Sequence, residues 1–304
     1  MFYCGWDGGG TKTEVCLGDE SGRKLESAVF GPLNPNGAPL REVEETVRQG
    51  VAYMAERAGG LERIGGLVIG AAGISNAQVT GILRAALEKA GWTGPTHLAG
   101  DQDIALAGAI DRPGALLIAG TGSVCTGRDA NGNGFRVGGY GYLIDDAGSG
   151  YAIGRSILTA VVRAEDGRGS PTALTEMVYH EKGFRSVGEI ITWLYAPGTE
   201  KRDVAALAAL LPRAVEAGDA AAAEIARQAA DDLAEMAETG WRKSGLTEGE
   251  LAVAGSILLR MPFIRAAMED RLRRTCPGMR VVAPKRTPAE GAVRMAAKLY
   301  AKKQ

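Results

Sequence analysis

The feature that most constrains the fold of this sequence is a pattern of strand, glycine–threonine turn and strand that occurs twice. The first turn spans residues 7–13 and the second spans residues 120–123, each between two short apolar runs. In both copies a further turn and a third strand follow, the second time through an Asn-Gly-Asn-Gly hairpin signal at residues 131–134. The two glycine turns are roughly 110 residues apart, which predicts an internal duplication within an α/β chain.

The chemistry of the first turn suggests a phosphate site. It reads Asp-Gly-Gly-Gly-Thr-Lys-Thr from Asp7 to Thr13. Glycine has no Cβ, so its N–H groups can approach a phosphate closely, and the hydroxyls of Thr11 and Thr13 can add donors. The Asp7 carboxylate, at the end of the first strand, could hold a hydrated Mg²⁺. Thr121 is the counterpart of Thr11, and two such turns facing each other across a cleft would hold one nucleotide. Either turn alone could be an ordinary glycine hairpin.

Composition excludes several classes of function. The chain has 304 residues, 45% of them hydrophobic, and a formal net charge of −1. This balance gives no reason to expect nucleic acid or an anionic membrane as a partner. The four cysteines form no C-x-x-C pair, which fits a reducing cytoplasm, and the two histidines lie far apart. We expect no signal peptide and no membrane span.

Polar residues at three further places suggest a ligand. Asp101 ends a predicted strand at residues 96–101, where ligands of open α/β sheets gather, so it could act as a base or simply cap the next helix. Asn34 and Asn36 stand between prolines, an arrangement that suits a polyhydroxylated ligand or an ordinary turn. The glycine-rich segment 138–150, with two adjacent aspartates, could wrap a sugar.

Two strand ends leave their roles open. Ser75 or Asn76 is expected to cap the helix predicted over residues 77–90, and a ligand contact by Ser75 is the weaker interpretation. The strand at residues 251–254 runs into Gly255 and Ser256. Adenine could lie flat on the backbone at Gly255, or the glycine could serve only the turn into the next helix. The Ala-rich region from 203 to 244 predicts packed helices, interrupted near Pro212.

With the two turns and the 138–150 segment in hand, the chain resembles the N-acetylglucosamine kinase branch of the benzoyl-CoA-reductase-activator (BadF-type) ATPase family, in the sugar kinase/Hsp70/actin superfamily. The resemblance implies an α/β fold of two duplicated ribonuclease-H-like domains, of the actin/hexokinase type, around a nucleotide cleft. It implies domains at residues 1–110 and 111–287, with a closing helix at 288–304 that returns to the first. It also implies ATP and Mg²⁺ as cofactors, a small-molecule amino sugar as substrate, and a homodimer.

The resemblance also implies roles for individual residues. Asp101 is implied as the general base that also contacts the sugar, and Asp7 as the Mg²⁺-side carboxylate. The implied sugar contacts are Asn34, Asn36, Ser75, Gly139, Tyr140 and Asp146. The implied nucleotide contacts are Gly9, Gly10, Thr11, Lys12, Thr121, Gly122, Gly218, Gly255 and Ser256.

The sequence departs from the family pattern at several places. The usual G-D-E-G-S-G block begins here with Asp145 and has Ala147 in place of its glutamate, Tyr140 replaces a tryptophan, and Gly100 replaces an asparagine before the base. The lost glutamate helps to define the family's sugar pocket, so glucosamine and N-acetylmuramic acid stay open beside N-acetylglucosamine. Two other functions are alternatives. One is an activator ATPase of a reductase, which would need paired cysteines at a dimer interface, and the other is a non-catalytic sugar sensor.

Overall fold

The computed structural model describes residues 1–35, 37–74 and 76–301, and it divides the chain into two compact units. The first unit consists of Met1–Asp111 together with the segment that begins at Pro284. The second unit consists of Arg112–Ala283. The first unit is therefore built from two separate stretches of sequence, whereas the second is continuous.

The first unit contains a mixed five-stranded sheet of order β3-β2-β1-β4-β5. β1, β2 and β3 are antiparallel neighbours, and β1, β4 and β5 are parallel. The strand bounds are β1 Phe2–Gly8, β2 Thr13–Gly18, β3 Lys24–Phe30, β4 Ile64–Ala71 and β5 Thr96–Ala99. β4 is an almost unbroken buried run, as expected for a parallel strand covered on both faces.

Helices cover both faces of this sheet. They are α1 Leu40–Ala58, α2 Ala77–Lys89, α3 Asp101–Ala109 and the closing helix of the chain, Pro288–Tyr300. On one face Trp6 is fully buried in the cluster that includes α1 and α2, and its Nε1–H points to the sulfur of Met54 at 3.4 Å. On the other face the closing helix packs on the backbone of β1: a Cβ at Gly5 would lie 2.2 Å from the amide nitrogen of Val293. This close approach requires glycine.

The second unit repeats the same sheet. Read in the same direction as the first sheet, its strand order is β8-β7-β6-β9-β10. β6, β7 and β8 are antiparallel neighbours, and β6, β9 and β10 are parallel. The strands are β6 Gly114–Ala119, β7 Ser123–Arg128, β8 Gly134–Val137, β9 Gly249–Ala254 and β10 Met279–Val282. Each strand takes the place of its counterpart in the first sheet, β6 for β1 and β9 for β4. The predicted duplicated α/β fold is therefore confirmed.

The remaining helices belong to the second unit. They are α4 Gly150–Glu165, α5 Leu174–Lys182, α6 Val187–Leu194, α7 Lys201–Ala206, α8 Leu211–Glu216, α9 Ala220–Ser244, α10 Ser256–Arg260 and α11 Pro262–Thr275, so that the closing helix is α12. The long α9 is capped by the Asp219 side chain and packs against the sheet, with Gly240 against Cys125. The interruption expected near Pro212 is a 3₁₀ turn at Leu207–Leu210. α8 follows it directly, with Pro212 in its first turn.

One difference from the predicted element bounds concerns the proposed base. The strand predicted to end at Asp101 stops at Ala99, because Gly100 caps α3 and Asp101 is already its first residue. Among the residues described, no helix combines the length and the apolar character needed to cross a bilayer.

Candidate functional site

The first glycine turn is an exposed hairpin between β1 and β2. The amide of Gly9 donates to the carbonyl of Lys12 at 2.9 Å, and Gly10 faces open space. Thr11 and Lys12 are exposed, so their donors are available to a ligand. Thr13 is different: it is fully buried and its hydroxyl donates to the carbonyl of Gly31 at 2.8 Å. The expectation that Thr13 would add a phosphate donor is therefore wrong.

The asparagine loop is fastened to this same turn. The amide of Leu33 donates to the carbonyl of Gly9 at 3.0 Å, and the Leu33 side chain is fully buried. This anchor holds the half-buried Asn34 next in sequence, whose carbonyl accepts from Gly37 at 3.1 Å. The predicted sugar contacts Asn36 and Ser75 lie outside the described residues. Asn76 caps α2, because its side chain accepts from the amide of Gln78.

Asp101, the predicted base, and Asp7, the predicted Mg²⁺-side carboxylate, lie at the same edge of the first sheet. Asp7 on β1 is paired with Gly70 on β4, and Gly70 is paired with Ala99 on β5. Asp7 and Ala99 therefore lie in one row across three neighbouring strands, two strand spacings or roughly 10 Å apart. Asp101 follows Ala99 by two residues. This is the carboxyl edge of the parallel strands, where ligands of such sheets bind.

The electrostatics of Asp7 show that these carboxylates interact. Burial raises the pKa of Asp7 above its usual range, and the negative charges of Glu14 and Asp101 raise it further, while Lys12 lowers it. Asp101 is exposed and its Oδ1 accepts from the amide of Gln102 at 2.9 Å. The concentration of negative charge suits a cation, because a divalent ion would remove the cost of ionising Asp7.

No cluster of three or more histidine, cysteine, aspartate or glutamate side chains forms a metal cage within the described ranges. Mg²⁺ does not require one, since it is usually held by one or two carboxylates together with substrate phosphates and water. Asp7, half-buried beside Glu14 and Asp101, has the chemistry that this mode of binding needs.

The second glycine turn is held from behind by the N-terminus of α4. The amide of Gly150 donates to the carbonyl of Gly120 at 2.7 Å, and that of Tyr151 donates to the carbonyl of Thr121 at 3.2 Å. The hydroxyl of Ser123 donates to the carbonyl of Ala147 at 2.7 Å. The first two bonds use carbonyl groups of the turn and the third uses the Ser123 hydroxyl, so the exposed Thr121 side chain is left for a ligand.

Asp146 is an acidic residue in a special position. It is the one non-glycine residue in the described part of the chain with a left-handed backbone, with φ of 60°, and it is only 5% exposed. A Cβ on Gly122 would lie 2.8 Å from Oδ2 of Asp146, so the carboxylate lies directly against the turn. None of the described residues gives this carboxylate a hydrogen bond, which makes it an acceptor open to a ligand.

A pocket of about 360 Å³ opens beside the second turn within the second unit. Thr121 lines it from the turn, and Ser256 lines it from the start of α10. Gly255 precedes this wall with φ of 91° and packs against the carbonyl of Ala119. The other lining residues are Gly120, Gly150, Arg202, Ala205, Ala206, Ala208, Ala209, Pro212, Ile257, Arg260 and Met261. Gly218, expected beside the adenosine, does not line this pocket.

Two arginines of this pocket were missed by the sequence analysis. Arg202 is paired with Glu200 at 3.0 Å, and both side chains are largely exposed. Arg260 makes no hydrogen bond or ion pair with any residue that the structure describes. They come from α7 and α10, separated by more than fifty positions in sequence, and no local motif marks either one. Only the packing of α7 and α10 into the second unit places both arginines at one pocket.

Two five-stranded mixed sheets with the same strand order, each carrying a glycine turn between its first two strands, define the class of actin-like ATPases. A family model described as the BadF/BadG/BcrA/BcrD ATPase family matches residues 4–296. The chain belongs to this family, as predicted from its motifs.

Named relatives match nearly the whole chain. An N-acetylmuramic acid/N-acetylglucosamine kinase of Clostridium acetobutylicum is 28% identical over 96% of this chain and 97% of its own. An N-acetyl-D-glucosamine kinase of Dictyostelium discoideum is 25% identical over 97% of each chain. The crystal structure of a proposed N-acetylglucosamine kinase from Chromobacterium violaceum superposes with a TM-score of 0.74 at 25% identity, covering 96% of this chain and 97% of the other.

Proposed function

We propose that this protein transfers the γ-phosphoryl group of MgATP to the 6-hydroxyl of an amino sugar, with N-acetylglucosamine as the first candidate. That the chain is an ATP-dependent sugar kinase rests on its family and on kinase relatives that match over nearly its full length. The 6-hydroxyl acceptor and the identity of the sugar are our proposal. The observation that carries it is the placement of Asp7 and Asp101 at one edge of the sheet, beside the first glycine turn.

Asp101 is proposed as the general base. Its carboxylate is exposed at the start of α3 and is oriented by one bond from the amide of Gln102. A carboxylate in this position can accept the proton of the sugar hydroxyl as the new P–O bond forms, which typically contributes roughly 10²–10⁴-fold to the rate. The same carboxylate would hold the hydroxyl in line with the phosphorus.

Asp7 is proposed to hold Mg²⁺ through water. When bound, the ion supplies positive charge to the phosphate oxygens. Asp7 would provide an ionised carboxylate at the end of β1, beside the phosphates. Its pKa is raised by burial, and the charge of Lys12 favours the ionised form. The negative charges of the neighbouring Glu14 and Asp101 attract a cation to this place.

The nucleotide is proposed to bind both glycine turns and the pocket of the second unit. Gly10, Thr11 and Lys12 supply donors in the first unit, where Gly9 lines the turn beside them, and Thr121 and Gly122 supply donors in the second. Gly218, Gly255 and Ser256 are proposed beside the adenosine, and we add Arg202 and Arg260, which line the pocket. Arginines at a pocket whose other lining residues are mostly alanine, glycine and aliphatic side chains suit a ligand that is both aromatic and anionic.

The sugar is proposed to contact Asn34, Asn36, Ser75, Gly139, Tyr140 and Asp146. Among these, the buried carboxylate of Asp146 is the strongest candidate, because it has no partner among the described residues and sugar hydroxyls donate readily. Glucosamine and N-acetylmuramic acid are the alternative substrates, since Asp145 and Ala147 alter the block that shapes this pocket in relatives.

The activator-type ATPase is the second candidate, and the cysteines argue against it. All four thiols are buried, and burial raises the pKa of Cys16 and of Cys125 to about 12. A cluster shared between two subunits needs accessible thiolates, and these thiols are protonated and enclosed. A purified protein with the brown colour of an iron–sulfur cluster would reverse this argument.

The test is a screen of sugar-dependent ADP release with MgATP and N-acetylglucosamine, glucosamine or N-acetylmuramic acid, with glucose and no sugar as controls. We expect one amino sugar to exceed glucose in kcat/KM by at least tenfold, with the phosphate of the product on the 6-oxygen by NMR. ADP release that no sugar stimulates, or phosphate on another oxygen, would overturn the proposal.

A further inference from the structure

The segment from Gly138 to Asp145 follows β8 and is folded back on itself by hydrogen bonds within the segment and from Arg136. The guanidinium of Arg136 donates to the carbonyls of Gly138, at 2.9 Å, and of Gly139. The amide of Tyr140 donates to Oδ2 of Asp145 at 3.0 Å, and the amide of Asp145 donates to the carbonyl of Gly141 at 2.8 Å. The side chain of Asp145 and the main chain of the segment therefore form a closed ring.

The peptide group between Gly139 and Tyr140 is held at both of its polar atoms. Its carbonyl accepts from a positive side chain, Arg136, and its amide donates to a negative one, Asp145. Hydrogen bonds to charged groups are stronger than those between neutral groups. Gly138, Gly139 and Gly141 all have positive φ, so without these bonds the segment could adopt many other backbone conformations.

The same ring sets the position of the Tyr140 side chain. The Arg136 guanidinium lies over the Tyr140 ring at 5.2 Å from its centroid, and the ring is 67% exposed. Further along, Tyr142 packs edge-on against Tyr151 of α4 at 4.7 Å between centroids, which fixes the segment to the body of the second unit. Tyr140 is thus presented outward from a segment that is tied down on both sides.

We infer that Asp145 is a positioning residue that orients the Gly139–Tyr140 peptide and the Tyr140 ring for the sugar. This inference rests on the proposed function, in which both residues contact the substrate. Because the Tyr140 N–H is already donated to Asp145, the polar group that this peptide presents to the sugar is an acceptor, the second lone pair of the Gly139 carbonyl. A hydroxyl group of the sugar would donate to it.

The test compares Asp145→Ala with Asp145→Asn, whose side-chain oxygen can still accept from the Tyr140 amide. For Asp145→Ala we expect the sugar KM to rise about tenfold, which is the size of effect that a lost hydrogen bond to a charged group gives. We expect kcat and the ATP KM to stay within about threefold, because the phosphate turns are untouched. Asp145→Asn should return the sugar KM to within about threefold of the wild-type value.

A second measurement reads the hydrogen bond itself, without activity. Hydrogen exchange of the Tyr140 amide should be at least ten times faster in Asp145→Ala than in the wild type and close to wild type in Asp145→Asn. An unchanged sugar KM in Asp145→Ala, or a rise in the ATP KM as large as that in the sugar KM, would overturn the inference while the proposed function stands. A wild-type protein that phosphorylates no amino sugar would overturn both.

Discussion

The two glycine turns occupy equivalent positions in two sheets of the same order, yet they are built differently. The first is an exposed hairpin that holds a loop, through the bond from Leu33 to Gly9, and it stands next to Asp7. The second is braced from behind by the N-terminus of α4 and lies against the buried Asp146. The two turns of the duplicated sheets therefore differ in their neighbours.

The difference indicates a division of work. The first unit carries the proposed base and the cation-side carboxylate, whose negative charges interact. The second unit carries a pocket with two arginines and no acidic residue in its lining. We therefore assign proton transfer to the first unit and the larger share of nucleotide affinity to the second, and the following variants test that assignment.

The largest effect is expected for Asp101→Asn. The amide cannot take the proton of the sugar hydroxyl, so kcat should fall by roughly 10²–10⁴-fold. The ATP KM should stay within about threefold, since nucleotide affinity is assigned to the second unit. Steady-state kinetics of sugar-dependent ADP release measure both values.

The matched control for this variant is Asp103→Asn, two positions along the same helix. Asp103 accepts from the amide of Gly100, and the asparagine oxygen can keep that bond. Wild-type kcat in the control and a large loss at position 101 would isolate the base. Equal losses in both would instead point to damage of the α3 N-terminus.

The next largest effect compares Gly122→Ala with Gly10→Ala, one from each turn. A Cβ at Gly122 would lie 2.8 Å from the Asp146 carboxylate, whereas a Cβ at Gly10 meets nothing within 4 Å. Gly122→Ala should lower the free energy of unfolding by about 1–3 kcal/mol, as overpacking does. Gly10→Ala should leave the free energy of unfolding within about 0.5 kcal/mol of wild type but weaken nucleotide binding, because its Cβ would stand where we propose that the phosphates bind.

Chemical denaturation measures the free energy of unfolding, and calorimetric titration with ADP measures nucleotide affinity. Equal stability of the two variants would remove the structural distinction between the turns.

A smaller effect is expected for Arg260→Ala. Because no described residue pairs with Arg260 and the side chain lines the pocket, its loss should raise the ATP KM about tenfold with little change in kcat. Arg274→Ala removes the same charge from the exposed end of α11 and serves as the control. A fall in kcat at saturating ATP would mean that Arg260 takes part in phosphoryl transfer.

The smallest effect concerns how the split first unit holds its two stretches together. Asp111 ends the first stretch and pairs with Arg286 at 2.8 Å, Lys285 at 3.2 Å and Arg294 at 2.7 Å, all on the second stretch. Hydrogen bonds from Arg286, then from Lys285, and the nearby charge of Arg294 lower the pKa of Asp111 to about 2. A depressed carboxyl pKa adds stability that is fully present above the unfolded value of roughly 3.9 and is lost as the pH falls towards 2.

Asp111→Asn should therefore lower the free energy of unfolding at pH 7 by about 1 kcal/mol, a value reduced by solvent screening because the side chains are one-third exposed. The difference from wild type should shrink as the pH falls below about 4, where the unfolded chain binds a proton at Asp111 while the folded protein still keeps this carboxyl ionised. Glu88→Gln, an exposed position on α2, controls for the change in net charge. A deficit that does not depend on pH would contradict the ion-pair explanation.

The sequence was sufficient for the succession of strands and turns along the chain, for the duplication and for the family, because glycine–threonine turns and apolar runs are local signals. It misplaced Asp101 by assigning it to the strand, since Gly100 rather than the aspartate caps α3. It also offered Thr13 as a phosphate donor, because burial of a hydroxyl beneath Gly31 depends on a loop some twenty residues away. Spacing alone could not reveal that contact.

The arginines at the pocket and the Asp145 bond could not be found in the sequence for the same reason. Arg202 and Arg260 meet at one pocket only after α7 and α10 pack into the second unit. Asp145 stood out in the sequence as a departure from the family block, but its bond to the Tyr140 amide requires the backbone ring formed by three glycines with positive φ.

The division of work between the units is tested most directly by a double-mutant cycle of Asp101→Asn and Arg260→Ala, measured as kcat/KM for ATP at saturating sugar. If one residue acts on proton transfer and the other on nucleotide affinity, the free-energy effects of the two substitutions should add within about 0.5 kcal/mol in the double variant. A double variant no slower than Asp101→Asn alone would show that both residues serve the same step and would contradict the assignment.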